Sequence, residues 1–161
     1  MLECSRRSWS ALSVAGVLAG LFIAGATLAN AGECPADKTT GDGQKAGATA
    51  HKNVTEKLLG QIDLSTEKIA VQGHHFRMRR LDIKPGGEVA WHSHEDRPAL
   101  IYVVSGEVTE YASTCQVPIV HKSGEVSVEK SGLSHWWKNT GQSDAVLISA
   151  DIATDPGQHG M

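Results

Sequence analysis

From Gly73 onward the chain is interrupted every few residues by turn-forming pairs: Pro85-Gly86-Gly87, Ser105-Gly106, Ser123-Gly124, Ser131-Gly132 and Thr140-Gly141. Such punctuation leaves no room for a sustained helical period, and the stretches between the turns are short and rich in β-branched and aromatic residues. Eight of them read as strands: HHFRMRRLDI, EVAWHSH, ALIYVV, EVTEYAS, VPIVH, EVSVE, SHWWKN and AVLISADI. Strands this short and this regularly spaced predict an all-β sandwich or barrel and leave little support for an α/β arrangement. Residues 67–153 are expected to form that barrel and 154–161 a flexible tail in which His159 is inert.

The segment before the barrel has a different character. Residues 1–31 carry Arg6 and Arg7, then an apolar run from Ala11 to Ala29, then Ala29-Asn30-Ala31. A positive start, an apolar run and a small-x-small site are the parts of a secretory signal peptide, with cleavage expected after Ala31. The competing reading is an uncleaved anchor, because the run approaches the roughly 20 residues that span a bilayer. A periplasmic or secreted protein is therefore expected, with no membrane attachment after cleavage. Residues 32–66 are expected as an N-terminal arm or linker: Pro35 to Lys52 is small and polar without periodicity. Val54 to Leu64 reads equally as a helical turn or a first strand.

Cleavage would remove Cys4 and leave Cys34 and Cys115. An even pair of cysteines in an oxidising compartment predicts one disulfide, pinning the arm to the barrel. The formal charge of −3 is spread without a basic block, which argues against a nucleic-acid partner.

Two histidines stand one residue apart, His92 and His94, on a predicted strand. Side chains alternate between strand faces, so both imidazoles project from one face, where they suit a divalent transition metal. A third, His135, follows the Ser131-Gly132 turn in a second strand-turn-strand unit.

These spacings resemble the cupin superfamily. Gly86, His92, His94 and Gly106 fit its first motif; Gly124, Gly132, His135 and Asn139 fit its second, with Lys130 where proline is usual. The resemblance spans about Gly73 to Ile152. It implies a small double-stranded β-helix, or jelly roll, enclosing one divalent transition metal (iron, manganese, nickel, copper or zinc) on His92, His94 and His135. One position departs: Ala99 occupies the place of the family's glutamate ligand. Glu95 or Glu110 could swing in to replace it, though neither stands at the motif position. The resemblance also implies a small-molecule ligand and a homodimer, and three neutral imidazoles would leave the ion's positive charge to favour an anionic ligand. A dioxygenase-type oxidoreductase is the leading expectation, with a non-catalytic periplasmic binding or structural cupin as the alternative.

Alternation extends the reading around the site. Ile101 and Val103 should share the face of Ala99, with Leu100, Tyr102 and Val104 outside; Trp137 should point in with His135, and Trp136 out. Trp137 is either a pocket wall or plain core. Arg97, in the connection after His94, is either a carboxylate grip or a solvated turn residue. Arg77 and Arg79 share a face, and an exposed sheet is the favoured reading over a cavity wall. His51 and His121 are expected at the surface.

Overall fold

The computed structural model describes residues 32–154; the expected signal peptide and residues 155–161 lie outside the described residues. After a short 3-10 turn (Ala36–Lys38), eight strands follow: β1 (Lys52–Asp63), β2 (His74–Ser93), β3 (Ala99–Ser105) and β4 (Glu107–Ala112), then β5 (Ile119–Lys122), β6 (Val126–Glu129), β7 (Ser134–Lys138) and β8 (Ala145–Thr154). They pair antiparallel in the order β5-β4-β7-β2-β8-β3-β6, with β1 added against β2. The protein is an all-β jelly-roll barrel.

Strand β2 holds the two halves together. Its first half pairs with β8 from His74↔Thr154 to Ile83↔Ala145, and its second half pairs with β7 from Glu88↔Lys138 to Ser93↔Ser134. The turn expected at Pro85-Gly86-Gly87 is instead a bend within one 20-residue strand. Gly86 takes a left-handed φ of 71° at the bend, a conformation glycine adopts without steric cost. By changing partners there, β2 passes from β8 to β7 and carries His92 alongside the latter.

Alternation on β3 follows expectation: Ala99, Ile101 and Val103 are buried, whereas Leu100, Tyr102 and Val104 are exposed. The inner set joins Leu81, Ile83, Val108, Trp137 and Leu147 in the main core. On the outer face, Leu100 stands opposite Val128, Tyr102 opposite Val126, and both neighbour β8. Phe76 and Met78 extend this exposed apolar strip across β2.

Within the segment expected as arm or linker, residues 52–63 form β1, which runs along β2 from Lys52↔Glu88 to Asp63↔His75. Adjacent Leu58 and Leu59 break the two-residue period, which is why the sequence left strand and helix unresolved. Residues 38–44 lie along the loop after β4 through Thr40, Gly43 and Gln44, whose backbone N–H groups donate to Thr114, Ser113 and Ala112 carbonyls. Cys34 and Cys115 form the expected disulfide, beside a small second core of Ala112, Ile119 and Leu133. It closes a loop with a sequence separation of 81. Reduction, or a Cys34→Ser/Cys115→Ser double variant, should lower stability by about 4 kcal/mol. Urea unfolding with and without reductant measures this; an unchanged midpoint would mean that the arm contributes nothing to the fold.

Candidate metal and anion site

The pairing of β2 with β7 sets His92 directly opposite His135. His94, just past the end of β2, is fixed by its backbone N–H donating to the Leu133 carbonyl at 2.8 Å. The three imidazoles converge: His135 Nε2 lies 3.0 Å from His94 Nε2 and 3.2 Å from His92 Nε2.

The outer nitrogens decide what those inner nitrogens carry. His92 Nδ1 is 2.8 Å from the Ala90 carbonyl, His94 Nδ1 2.7 Å from the Arg97 carbonyl, and His135 Nδ1 2.6 Å from Glu110 Oε1. Carbonyl and carboxylate oxygens only accept, so each Nδ1 holds the ring proton. Burial, reinforced by neighbouring His135, pushes the His92 pKa down to about 2, so that ring is neutral. In neutral rings of this tautomer every Nε2 presents a lone pair. Three lone pairs facing one another cannot hydrogen-bond, and a shared cation is the species that satisfies all of them.

A fourth group joins them. Glu129, at the end of β6, is buried; its Oε2 lies 2.9 Å from His94 Nε2 and its Oε1 3.5 Å from His135 Nε2. Oε1 has no hydrogen-bond partner. The ligand atoms of His92, His94, Glu129 and His135 all fall within 4.8 Å of one another, a set of nitrogen and oxygen donors that fits a divalent transition metal.

Glu129 was missed in the sequence, and the reason is register. It pairs across the β3–β6 ladder with Ala99, the residue at the family's glutamate position. The carboxylate is present one strand over, on the same inward face, and no spacing rule within one strand reveals it. Neither alternative carboxylate serves. Glu95 accepts from the Ser131 hydroxyl and Gly132 N–H, bracing the turn, and Glu110 lies behind His135 on the Nδ1 side.

Glu110 has a different task. Its second oxygen accepts from His121 Nε2 at 2.8 Å. Burial alone would raise its pKa, but the hydrogen bonds from His121 and His135 override burial and hold it down at about 2. His121, expected at the surface, is fully buried. Its strand places Ile119 and His121 inside and Val120 and Lys122 outside, and its ring stacks on Trp137 at 4.6 Å. Trp137 in turn stands edge-on to His135, so it is both core and a wall of the site. Trp136 faces outward and stacks on Tyr111.

Beyond the histidines opens a cavity of about 1130 Å³, lined by Arg77, Arg79 and Arg97 as well as by His92, His94 and Glu129. The exposed-sheet reading of Arg77 and Arg79 does not hold. Both donate to the fully buried Asp151, Arg77 Nη2 at 2.9 Å and Arg79 Nη2 at 2.7 Å, and Arg79 also pairs with Glu56 of β1 at 2.9 Å. Register explains it: Arg77 pairs with Asp151 and Arg79 with Ser149, placing both arginines over the inward face of β8. Arg80, on the opposite face, pairs with Asp82. Arg97 also lines the cavity, 3.9 Å from Asp151, the loosest of the three arginine contacts to that acid.

Residues 79–151 match the cupin domain family. The oxalate-binding protein of Thermotoga maritima is 34% identical over 96 residues, which cover 58% of this chain and 77% of that protein. The chain belongs to the cupin superfamily. Germin-like protein 8-14 of Oryza sativa is 32% identical over 108 residues, covering 65% of this cupin and 48% of the rice protein. The cupin thus spans about half the length of that relative. Among solved structures, a predicted oxalate decarboxylase from Thermotoga maritima superposes with a TM-score of 0.51 at 20% identity, covering 74% of this cupin and 97% of that chain.

Asp151 is the acid that keeps two cavity arginines in place. Asp151→Ala leaves the half-buried Arg77 without its counter-charge and Arg79 with Glu56 alone, and should destabilise the cupin by about 2–3 kcal/mol. Urea denaturation reads the loss; a change below about 1 kcal/mol would show that Arg77 and Arg79 are held by other contacts.

Proposed function

We propose that this cupin is exported, holds one divalent transition metal on His92, His94, Glu129 and His135, and binds a small carboxylate between that metal and Arg97. The observation that carries the reading is the convergence of three protonless Nε2 atoms on a buried carboxylate. A metal held there would supply a Lewis acid and, if redox-active, a route for electrons. The chain's own residues do the rest. Glu110, Ala90 and Arg97 carbonyl or carboxylate oxygens fix the three ring tautomers. Trp137 and the apolar core shield the inner side from water. Arg97, the least committed of the cavity arginines, offers a forked donor to an incoming carboxylate, with Arg77 and Arg79 behind it.

On this ligand we propose dioxygenase-type oxidation as the activity. Simple capture is the second reading, favoured by the likeness to an oxalate-binding protein. Oxygen uptake by the metal-loaded protein, surveyed over short mono- and dicarboxylates, separates them. Oxygen consumption coupled to loss of one acid, abolished in His135→Ala, supports an enzyme. Saturable binding with no uptake supports capture. Neither binding nor uptake with any of these acids would overturn the carboxylate assignment.

The position of Glu129 yields its own test. Glu129→Ala should weaken metal binding by about 100-fold or more, beyond the range typical of outer-shell losses. Adding Ala99→Glu, one rung across the ladder, should recover most of it. Equal affinity in the parent and Glu129→Ala would remove Glu129 from the ligand set.

We also propose that the cupin is a homodimer joined through the apolar strip of β3 and β6. Leu100, Tyr102, Val126 and Val128 form two facing pairs, all exposed, too contiguous for a solvated sheet face. Sedimentation should show a dimer that becomes monomeric in Leu100→Lys/Val128→Lys; a monomeric parent would contradict it.

A further inference from the structure

The hydrogen-bonded row that runs outward from His135 ends on an unsatisfied atom. His121 donates through Nε2 to Glu110, so its Nδ1 carries a lone pair. That Nδ1 is buried, in a ring with 0% exposure, and has no hydrogen-bond partner. Buried acceptors are normally satisfied, so an orphan at the end of an otherwise complete network asks for a donor.

Beside it lies Gly32, which is buried and has a left-handed φ of 86°. A Cβ at Gly32 would lie 2.9 Å from His121 Nδ1 and 3.2 Å from Glu125 Oε2. Carbon is excluded at the first distance, but both are ordinary hydrogen-bond lengths for a nitrogen donor. The residue before Gly32 is the alanine at which the leader is expected to be cut. Hydrolysis of the Ala31–Gly32 peptide bond adds one water, leaving a carboxylate on Ala31 and an α-ammonium on Gly32. Once free, that nitrogen is the one heavy substituent on Cα besides the carbonyl carbon. A third of a turn about the Cα–C bond carries it into the Cβ direction, with only hydrogens left elsewhere. The N–Cα bond, about 1.46 Å, is close enough to a carbon–carbon bond to preserve the two distances.

We propose that processing creates a ligand for this pocket: the α-ammonium of Gly32 docks between His121 Nδ1 and the Glu125 carboxylate. It thereby becomes the outermost member of the row Gly32–His121–Glu110–His135 and a positioning group for His135. An uncleaved chain cannot make the contact, because its Gly32 nitrogen is tied to Ala31 and has one hydrogen to give. The tether is short. Cys34, two residues on, is bonded to Cys115, so Gly32 stays beside β5 after cleavage. The inference rests on the proposed export and cleavage site and is independent of metal identity.

The test uses the full chain expressed with its leader and recovered after export, in metal-free form. Its intact mass and the rate at which its α-amine is acylated at neutral pH are measured beside Glu125→Ala, whose half-exposed side chain can be lost without unfolding. The expected result is a chain beginning at Gly32 whose α-amine reacts at least about 10-fold more slowly than in Glu125→Ala. A chain beginning elsewhere, or equal rates in the two proteins, would overturn the proposal. A second arm inserts one alanine before Gly32 and compares visible spectra of the cobalt-loaded proteins. A shifted spectrum supports the positioning of His135 through the row, and an unchanged one overturns that part. Failure to bind cobalt in either protein would instead count against the metal site, while the acylation rates still decide the pocket.

Discussion

Three imidazole Nε2 atoms meet in a buried space, those of His92 and His94 within 3.2 Å of that of His135, and in their neutral form their lone pairs repel one another and the neighbouring carboxylate of Glu129. Each ring turns its Nδ1 to an oxygen acceptor, and the one indole N–H nearby, that of Trp137, reaches the His135 ring alone. The arrangement is built for a cation, and much of the surrounding structure exists to keep it from relaxing. The β2 bend delivers His92 alongside the strand that holds His135. The backbone pairing of His94 with Leu133 stops the third ring from swinging away. A metal bound there would stabilise the folded chain by mass action.

Two buried acids divide the electrostatic work. Glu110 lies behind the histidines and joins the metal-facing ring to His121; Asp151 lies under the cavity and gathers Arg77 and Arg79. Each acid would be costly alone in the interior and is stable because more than one donor reaches it, Glu110 from β5 and β7 and Asp151 from two arginines of β2. The result is a cavity lined by both histidines and arginines, a composition suited to a ligand with anionic oxygens. Arg97, held more loosely than its neighbours, is the arginine most available to such a ligand.

Much of this was legible in the sequence because it depends on periods within single strands. The glycine-marked turns gave the all-β barrel, alternation gave the inward set of β3, and His-x-His gave a shared face for His92 and His94. What was illegible depends on pairing between strands. Glu129 takes the place vacated at Ala99 only because the two are ladder partners, and Arg77 meets Asp151 for the same reason. His121 looked like a strand-end histidine before a turn; its burial follows from the pairing of β5 with β4, which sets it against Val108. The strand β1 was ambiguous because its apolar residues follow neither a two-residue nor a helical period. It is held by pairing with β2 rather than by its own pattern.

The most direct measurement of the central claim is X-ray absorption at the edge of the metal bound by the exported protein, purified without chelator. The account predicts a first shell of nitrogen and oxygen donors, with the multiple-scattering signature of three imidazoles and one carboxylate oxygen. A protein that binds no metal, or a bound metal with fewer than three imidazoles, would contradict it.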